Sequence, residues 1–429
     1  MTQHPNSPHS TSSPTPSREG SALSRLPSRR PIPRQTEMGS RRRYIAMFAM
    51  ALGGFGIGTT EFVAMGLLSL IAADFGISED QAGHIISAYA LGVVVGAPLI
   101  TTLTGSIPRR RLALILMAAF VIGNGLSVFA HSYEVLLVSR FIAGLPHGAY
   151  FSVTALIAAS MAPNGKRGKS VALVGMGLSI ATVIGVPVAQ WLGTTFGWNT
   201  AFEMVAAIGI VTFVALWFTV PHMTLMPATK PLTELGALVN SQVLFTLGIG
   251  TVGFGGMFAV YTYISWTLTE NAGFNESLMW IPLMVYGIGM VIGTYAGGLL
   301  ADRNLEFTIV GTLLTLVVVL SLFYVSSYHV VLGIINFGAI GMLGSILVPS
   351  LQTRLMDVAG DAQSLAAALN HSALNMANAA GAAVGGAVIA AGYGFSTPAL
   401  AGAAMALAGA VLWIPAFLLR RRHHASHRS

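Results

Sequence analysis

The chain contains no cysteine, which excludes disulfides, thiolate metal sites and a cysteine nucleophile and leaves the redox compartment unreadable. Charge is scarce as well: Asp, Glu, Lys and Arg make up 9% of the 429 residues, against roughly 25% in soluble globular domains. An ordinary soluble enzyme is thereby excluded. Residues 1–43 lack any apolar run and hold nine Ser, seven Pro and eight Arg. Such a segment has no signal-peptide core and cannot bury enough surface to offset its ordering entropy, so it is expected to be a disordered tail. An Arg- and Ser-rich transit peptide is the alternative, although the prolines would break its amphipathic helix.

What the sequence does have is apolar: 54% of it is Ala, Val, Ile, Leu, Met, Phe, Trp or Tyr. From Tyr44 onward, stretches of about 20 apolar residues recur, each long enough to cross a hydrocarbon core of roughly 30 Å as a helix. Twelve are expected, over 44–72, 82–104, 111–131, 134–160, 169–192, 199–220, 242–269, 278–301, 307–325, 329–352, 364–391 and 396–419. The formal charge of +7 then describes topology rather than a nucleic-acid face. Basic residues near span ends resist translocation, and 21 of the 22 Lys and Arg fall on one side of these spans, leaving only Arg140 inside one. Both termini are therefore expected to be cytoplasmic. The loop 221–241, with Pro221, Pro227 and Pro231, divides a six-span block, 44–220, from a second, 242–419, ahead of a basic tail at 420–429. Arg140-Phe141-Ile142-Ala143 in span 4 lines up with Asn336-Phe337-Gly338-Ala339 in span 10, an echo of the kind internally repeated transporters carry.

A charge in mid-membrane costs roughly 2.5–3.5 kcal/mol even on a lenient scale, so Glu61 and Arg140 demand explanation. Glu61 follows Thr59 and Thr60 in span 1, and Arg140 and His147 lie on span 4. Glu61 as a proton carrier whose protonation depends on conformation is the functional reading; a static Glu61–Arg140 pair joining two helices is the structural one. His147 is equally a relay or substrate ligand and an interhelical hydrogen-bonding residue. In span 11, Asn370 accompanies His371, Asn375 and Asn378, and the latter three share one helical face, suited either to interhelical bonding or to a polar cavity. Tyr261, Tyr263 and Trp266 in span 7 fit an apolar cavity or an interfacial aromatic belt. The Glu61 depth in span 7 is occupied by Phe258 and Ala259, so the acid is not duplicated. The string GKRGKS at 165–170 lacks the first glycine of a phosphate loop, because Pro163 stands there, and implies no ATP site. The triplet Asn275-Glu276-Ser277 is a chance-level glycosylation sequon.

Three strings carry a family resemblance: GIGTTEFVAMGLL in span 1, RFIAGLPHGAYFS in span 4 and GVPVAQWLG in span 5. Together with twelve spans in two halves, they resemble the major facilitator superfamily, specifically its drug:proton antiporter branch and arabinose-efflux-permease-like group, over about residues 44–419. The resemblance implies an all-α membrane protein of two pseudo-symmetric six-helix bundles. Arg140 and Gly144 match the family's Arg-x-x-x-Gly pattern, and Gly177, Gly185 and Pro187 resemble its antiporter motif, with Val186 as a departure. The family's loop motif between spans 2 and 3 is degraded: Arg109 and Arg110 remain, but Thr101, Gly105 and Pro108 stand where Gly, Asp and Gly belong. The second half retains Gly298, Leu300, Ala301, Asp302 and Arg303.

The expected function is secondary active efflux by alternating access. It would be a monomer in the cytoplasmic (inner) membrane, in contact with lipid, exchanging protons for a small organic substrate such as a drug, sugar or nucleoside. Glu61 and Arg140 would serve coupling; Thr60, His147, His371, Asn375 and Asn378 are the substrate or relay candidates. Arg109, Arg110, Gly177, Gly185, Pro187, Asp302 and Arg303 would serve gating and packing. The proton is the coupling ion, and no cofactor, metal or nucleic-acid partner is expected. A proton-coupled importer is the alternative within the class, and a non-transporting sensor or a channel is the alternative outside it.

Overall fold

The computed structural model describes residues 39–77, 79–222, 231–275 and 278–426. Most of the expected N-terminal tail, the linker stretch 223–230 with Lys230, Glu276 and Ser277 of the sequon, and residues 427–429 lie outside the described residues. Among those described there is no strand. The helices are α1 (Ser40–Phe75), α2 (Glu79–Leu103), α3 (Arg109–Val128), α4 (Tyr133–Met161), α5 (Arg167–Ile180), α6 (Val186–Phe196) and α7 (Asn199–Thr219). After the short α8 (Pro231–Leu235) come α9 (Ser241–Tyr261), α10 (Ile264–Ala272), α11 (Trp280–Ser326), α12 (Val330–Val358), α13 (Gln363–Ala390) and α14 (Pro398–Ser426).

Among the described residues, 11 helices are long and apolar enough to cross a membrane. One of them, α11, has 47 residues, about 70 Å of helix and twice a bilayer core. Asn304 breaks it with extended backbone at φ −155°, and its Oδ1 accepts the Phe307 N–H at 3.1 Å, as an N-cap does. The helix is thus two spans folded back at Asn304, which restores the expected twelve. Two other spans depart from simple helices. Span 7 is interrupted at Thr262 and Tyr263 between α9 and α10. Span 5 is continuous, but α5 and α6 are joined by a π-helical turn at Ala181–Gly185. Pro187 has no N–H to give its preceding turn, and the wider turn accommodates that loss.

Helix contacts repeat between the halves. A Cβ at Gly92 or Gly96 of α2 would overlap the Phe141 or Leu145 carbonyl of α4, and one at Gly289 or Gly293 of α11 would overlap the Gly338 or Met342 carbonyl of α12. Tyr89 against Gly144 recurs in the same way as Tyr286 against Gly341. One constant sequence interval relates all these pairs. It is one residue longer than the Arg140–Asn336 alignment, so the counterpart of Arg140 is Phe337. The correction arises because the short apolar string shared by spans 4 and 10 matches almost as well one position out of register.

The two halves meet tightly at the end that carries the basic residues. There Ser152 Oγ donates to the Ser364 carbonyl at 2.6 Å, and Arg167 pairs with Asp357 at 2.7 Å. The Gly168 and Lys169 N–H groups donate to the Asp302 carboxylate at 2.6 and 2.9 Å. Farther in, the Ser179 and Thr294 hydroxyls bond at 2.8 Å.

Candidate functional site

Above this seal lies a cavity of about 490 Å³ between the halves, within the usual range for small-molecule sites. The first half contributes Glu61 and Phe62 from α1, His147 from α4, and Pro187 and Gln190 from α6. The second half contributes Phe258 and Tyr261 from α9, Tyr286 and Met290 from α11, and His371, Asn375 and Asn378 from α13. Trp280 and Leu283, at the end away from the basic residues, also line it and are themselves 58% and 38% exposed, so the cavity opens toward that end. Its walls are mainly aromatic and aliphatic, with polar groups at a few points.

Its floor is a ring cluster. His147 and His371 approach from opposite halves with centroids 5.2 Å apart, and His371 stacks on Phe151 at 4.4 Å. The Tyr89 hydroxyl and His147 Nδ1 lie 3.0 Å apart, whereas buried His147 Nε2 has no hydrogen-bond partner among the described residues. The spacing of His371, Asn375 and Asn378 was legible, and the structure sets all three on the cavity wall. Asn370 faces away and donates to Gln352 at 2.7 Å.

Glu61 and Arg140 do not form the static pair that the sequence allowed: among the described residues Glu61 has no cation within 4.0 Å. Arg140, 1% exposed, turns to the neighbouring residue instead. It donates to Thr60 Oγ1 and to the Thr60 carbonyl, both at 2.8 Å, and more weakly to Asn124 Oδ1 at 3.4 Å. The rings of Tyr89 and Phe202 cover it at 4.6 and 5.0 Å. Thr60 is therefore a buried support for Arg140, completed by its own bond to Asn124 at 2.6 Å. Asn124, a polar residue within apolar span 3, was missed; its isolation there was the available signal.

A chain of paired transmembrane helices, with pseudo-equivalent contacts in two halves and a cavity between them, has a close match among known proteins. The sequence profile of the Major Facilitator Superfamily matches residues 50–364. The chain belongs to this superfamily. It is 41% identical over 360 residues to the inner membrane transport protein YdhP of Escherichia coli K12, covering 84% of this chain and 92% of that one. It is 30% identical over 344 residues to the chloramphenicol resistance protein of Streptomyces lividans, covering 79% and 87%. The crystal structure of the superfamily transporter FucP in the outward conformation superposes with a TM-score of 0.69 at 15% identity, over 87% of this chain and 98% of that one. The protein is accordingly a multi-pass membrane transporter of a small solute, not an enzyme.

The remaining superfamily motif residues take packing and sealing positions. A Cβ at Gly177 would overlap the Ala51 carbonyl of α1, and one at Gly185 would meet the Thr59 and Phe55 side chains, so both glycines permit close approach of the helix that carries Glu61. Asp302 belongs to the seal. Arg303 beside it is exposed, Arg110 donates to the Trp217 carbonyl, and Arg109 lies 3.9 Å from Glu234. Of the span 7 aromatics, Tyr261 lines the cavity. The Tyr263 hydroxyl donates to the Ala382 carbonyl, and Trp266 is 54% exposed, consistent with an interfacial position.

Proposed function

We propose that the chain exports a small, largely apolar organic solute across the cytoplasmic membrane in exchange for protons, with its basic end and both termini in the cytoplasm. Glu61 carries this reading: a carboxylate on the wall of an apolar cavity between two halves, with no cation within 4.0 Å among the described residues. Such a group exchanges a proton with whichever side the cavity faces, and its charge is worth most where water reaches it. Arg140 is bound to the neighbouring Thr60 and leaves the acid free of a contact ion pair. A proton entering down about 100 mV releases about 2.3 kcal/mol, which sets the scale of uphill export per proton. The apolar cavity and the chloramphenicol resistance relative favour a lipophilic drug-like substrate, and Asn375, Asn378 and Gln190 supply hydrogen bonds to orient it. The transporting unit is a monomer, since one chain forms the whole cavity.

Everted vesicles holding a preformed proton gradient test direction and coupling together. Chloramphenicol, sugars and nucleosides are added in turn, and loss of the gradient on addition of one of them is expected. With Glu61→Gln that loss disappears while binding of the same solute, read by thermal stabilisation, persists. Undiminished gradient loss with Glu61→Gln overturns the proton-carrier role. Gradient loss confined to right-side-out vesicles makes the chain an importer.

A further inference from the structure

The seal at the basic end contains a carboxylate that belongs to neither bundle. In the second half, Asp302 closes the first segment of α11 and accepts the N–H groups of Gly168 and Lys169 at the start of α5. The interval that relates the two halves sends Asp302 to Gly105 and Gly168 to Leu365. Gly105 has no side chain, so the first half cannot make the equivalent bond across to α13. The Leu365 N–H is nevertheless bonded: Glu234 Oε2, from the linker helix α8, accepts it at 2.9 Å. Glu234 is completely buried, and its other oxygen lies 3.9 Å from Nη2 of Arg109. Arg109 is also buried, and its Nη1 has no hydrogen-bond partner among the described residues.

The linker touches both halves at this point, α8 lying against α2 of the first half as well as α13 of the second. Ala237 packs with Leu355, Leu365 and Ala366, and Asn240 Nδ2 donates to the Val358 carbonyl at 2.9 Å. Arg109 begins α3, in the other half. Glu234 thus spans the joint: one oxygen caps a second-half helix and the other faces a first-half cation.

We propose that Glu234 is the gate carboxylate of the first half, supplied by the linker in place of the acid missing at position 105, and that it positions Arg109 and α13 against each other when the basic end is closed. The proposal rests on the alternating-access reading of the chain. Opening that end carries Arg109 away from α13, and both charged groups meet water as they part. The hydration they regain offsets the lost attraction, so the contact biases the closed state without locking it. The carboxylate at the helix N-terminus is favoured in the closed state by the α13 dipole as well.

The absence of native cysteine makes the test direct. Ser152→Cys reports on the basic end, where position 152 is fully buried between the halves, and Leu283→Cys reports on the open mouth. N-ethylmaleimide reaction rates are measured for each reporter, with and without Glu234→Gln. The expected result is reciprocal: about a tenfold faster reaction at position 152, the scale of losing one helix cap, and a slower reaction at position 283. Gly105→Asp added to Glu234→Gln returns both rates toward the parent values. A rise at 152 with no change at 283 means that Glu234 only anchors the linker, and it overturns the proposal; so do unchanged rates at both positions. If Glu234→Gln does not fold, Glu234→Asp carries the same measurement, because the shorter acid keeps its charge but cannot span both partners. None of these readouts depends on proton coupling, so a failed export assay leaves the result interpretable.

Discussion

Arg140 shows how a buried cation is held without a carboxylate against it. The Thr60 carbonyl has a second lone pair beyond the one used in its helix, and the guanidinium fork reaches both that oxygen and the Thr60 hydroxyl. Two ring faces supply further cation–π attraction. An ammonium cannot reproduce this fork, so Arg140→Lys is not conservative here. Thr60→Val removes one acceptor while the charge stays buried and is expected to lower stability by about 1–3 kcal/mol. Thermal unfolding in detergent checks it: the midpoint falls for both variants, and an unchanged midpoint for Thr60→Val would show that the hydroxyl bond contributes nothing. The sequence disclosed that Arg140 and Glu61 were the two costly residues but not that they were apart. Opposite charges at similar depth suggest a pair, and only helix rotation, which a single sequence does not encode, shows that Arg140 faces Thr60 and Glu61 faces the cavity.

At the scale of elements, hydropathy and length sufficed for the number of spans, whereas the departures from simple helix came from local chemistry. Asn304 turns α11 because its side chain caps the second segment, and Pro187 follows the π-helical turn. The shared face of His371, Asn375 and Asn378 follows from the helical period, and the structure turns that face to the cavity. The packing of α2 on α4 was less legible, since a single sequence does not show which neighbouring helix a glycine approaches. Here the backbones touch: Gly92 lies against the Phe141 carbonyl and Gly144 against the Tyr89 carbonyl. Without a solvent-driven hydrophobic force between helices in lipid, this close approach is a main source of their association. Gly92→Ala forces α2 and α4 apart and is expected to cost about 1–3 kcal/mol as overpacking. It would also shift Tyr89, and with it the contacts to Arg140 and His147. Gly125→Ala is the control, because a Cβ there meets nothing within 4 Å. A loss of thermal stability for Gly92→Ala and none for Gly125→Ala is the expected outcome, and equal midpoints would contradict it.

Across the whole molecule, the interval relating the halves shows where their equivalence stops. Glu61, Thr60 and Arg140 correspond to Phe258, Met257 and Phe337, and Phe337 stacks on Tyr286 with centroids 4.6 Å apart where Arg140 covers Tyr89. His371, Asn375 and Asn378 correspond to Val174, Leu178 and Ala181. The charge on the cavity wall therefore belongs to the first half and the hydrogen-bonding face of α13 to the second, so a solute bridging the cavity contacts both only while the halves are properly opposed. The surfaces that oppose them at the basic end decide which way the cavity faces. Asp302 is a charged inter-half contact of that seal, accepting two backbone N–H groups at a helix start with a charge that complements the helix dipole. Asp302→Asn keeps one acceptor oxygen but loses the charge, which should move the equilibrium toward opening at the basic end by about three- to tenfold, the worth of a charge at a helix terminus. Spin labels on Arg111→Cys and Phe307→Cys, both exposed near that end and in different halves, read the change by pulsed electron resonance. A longer-distance population should grow in Asp302→Asn, and adding Glu234→Gln should enlarge it further, since the two carboxylates bridge the same halves at separate helix starts. Identical distance distributions in the parent and both variants would show that neither carboxylate holds the seal, and would assign closure to the Ser152–Ser364 and Ser179–Thr294 contacts instead.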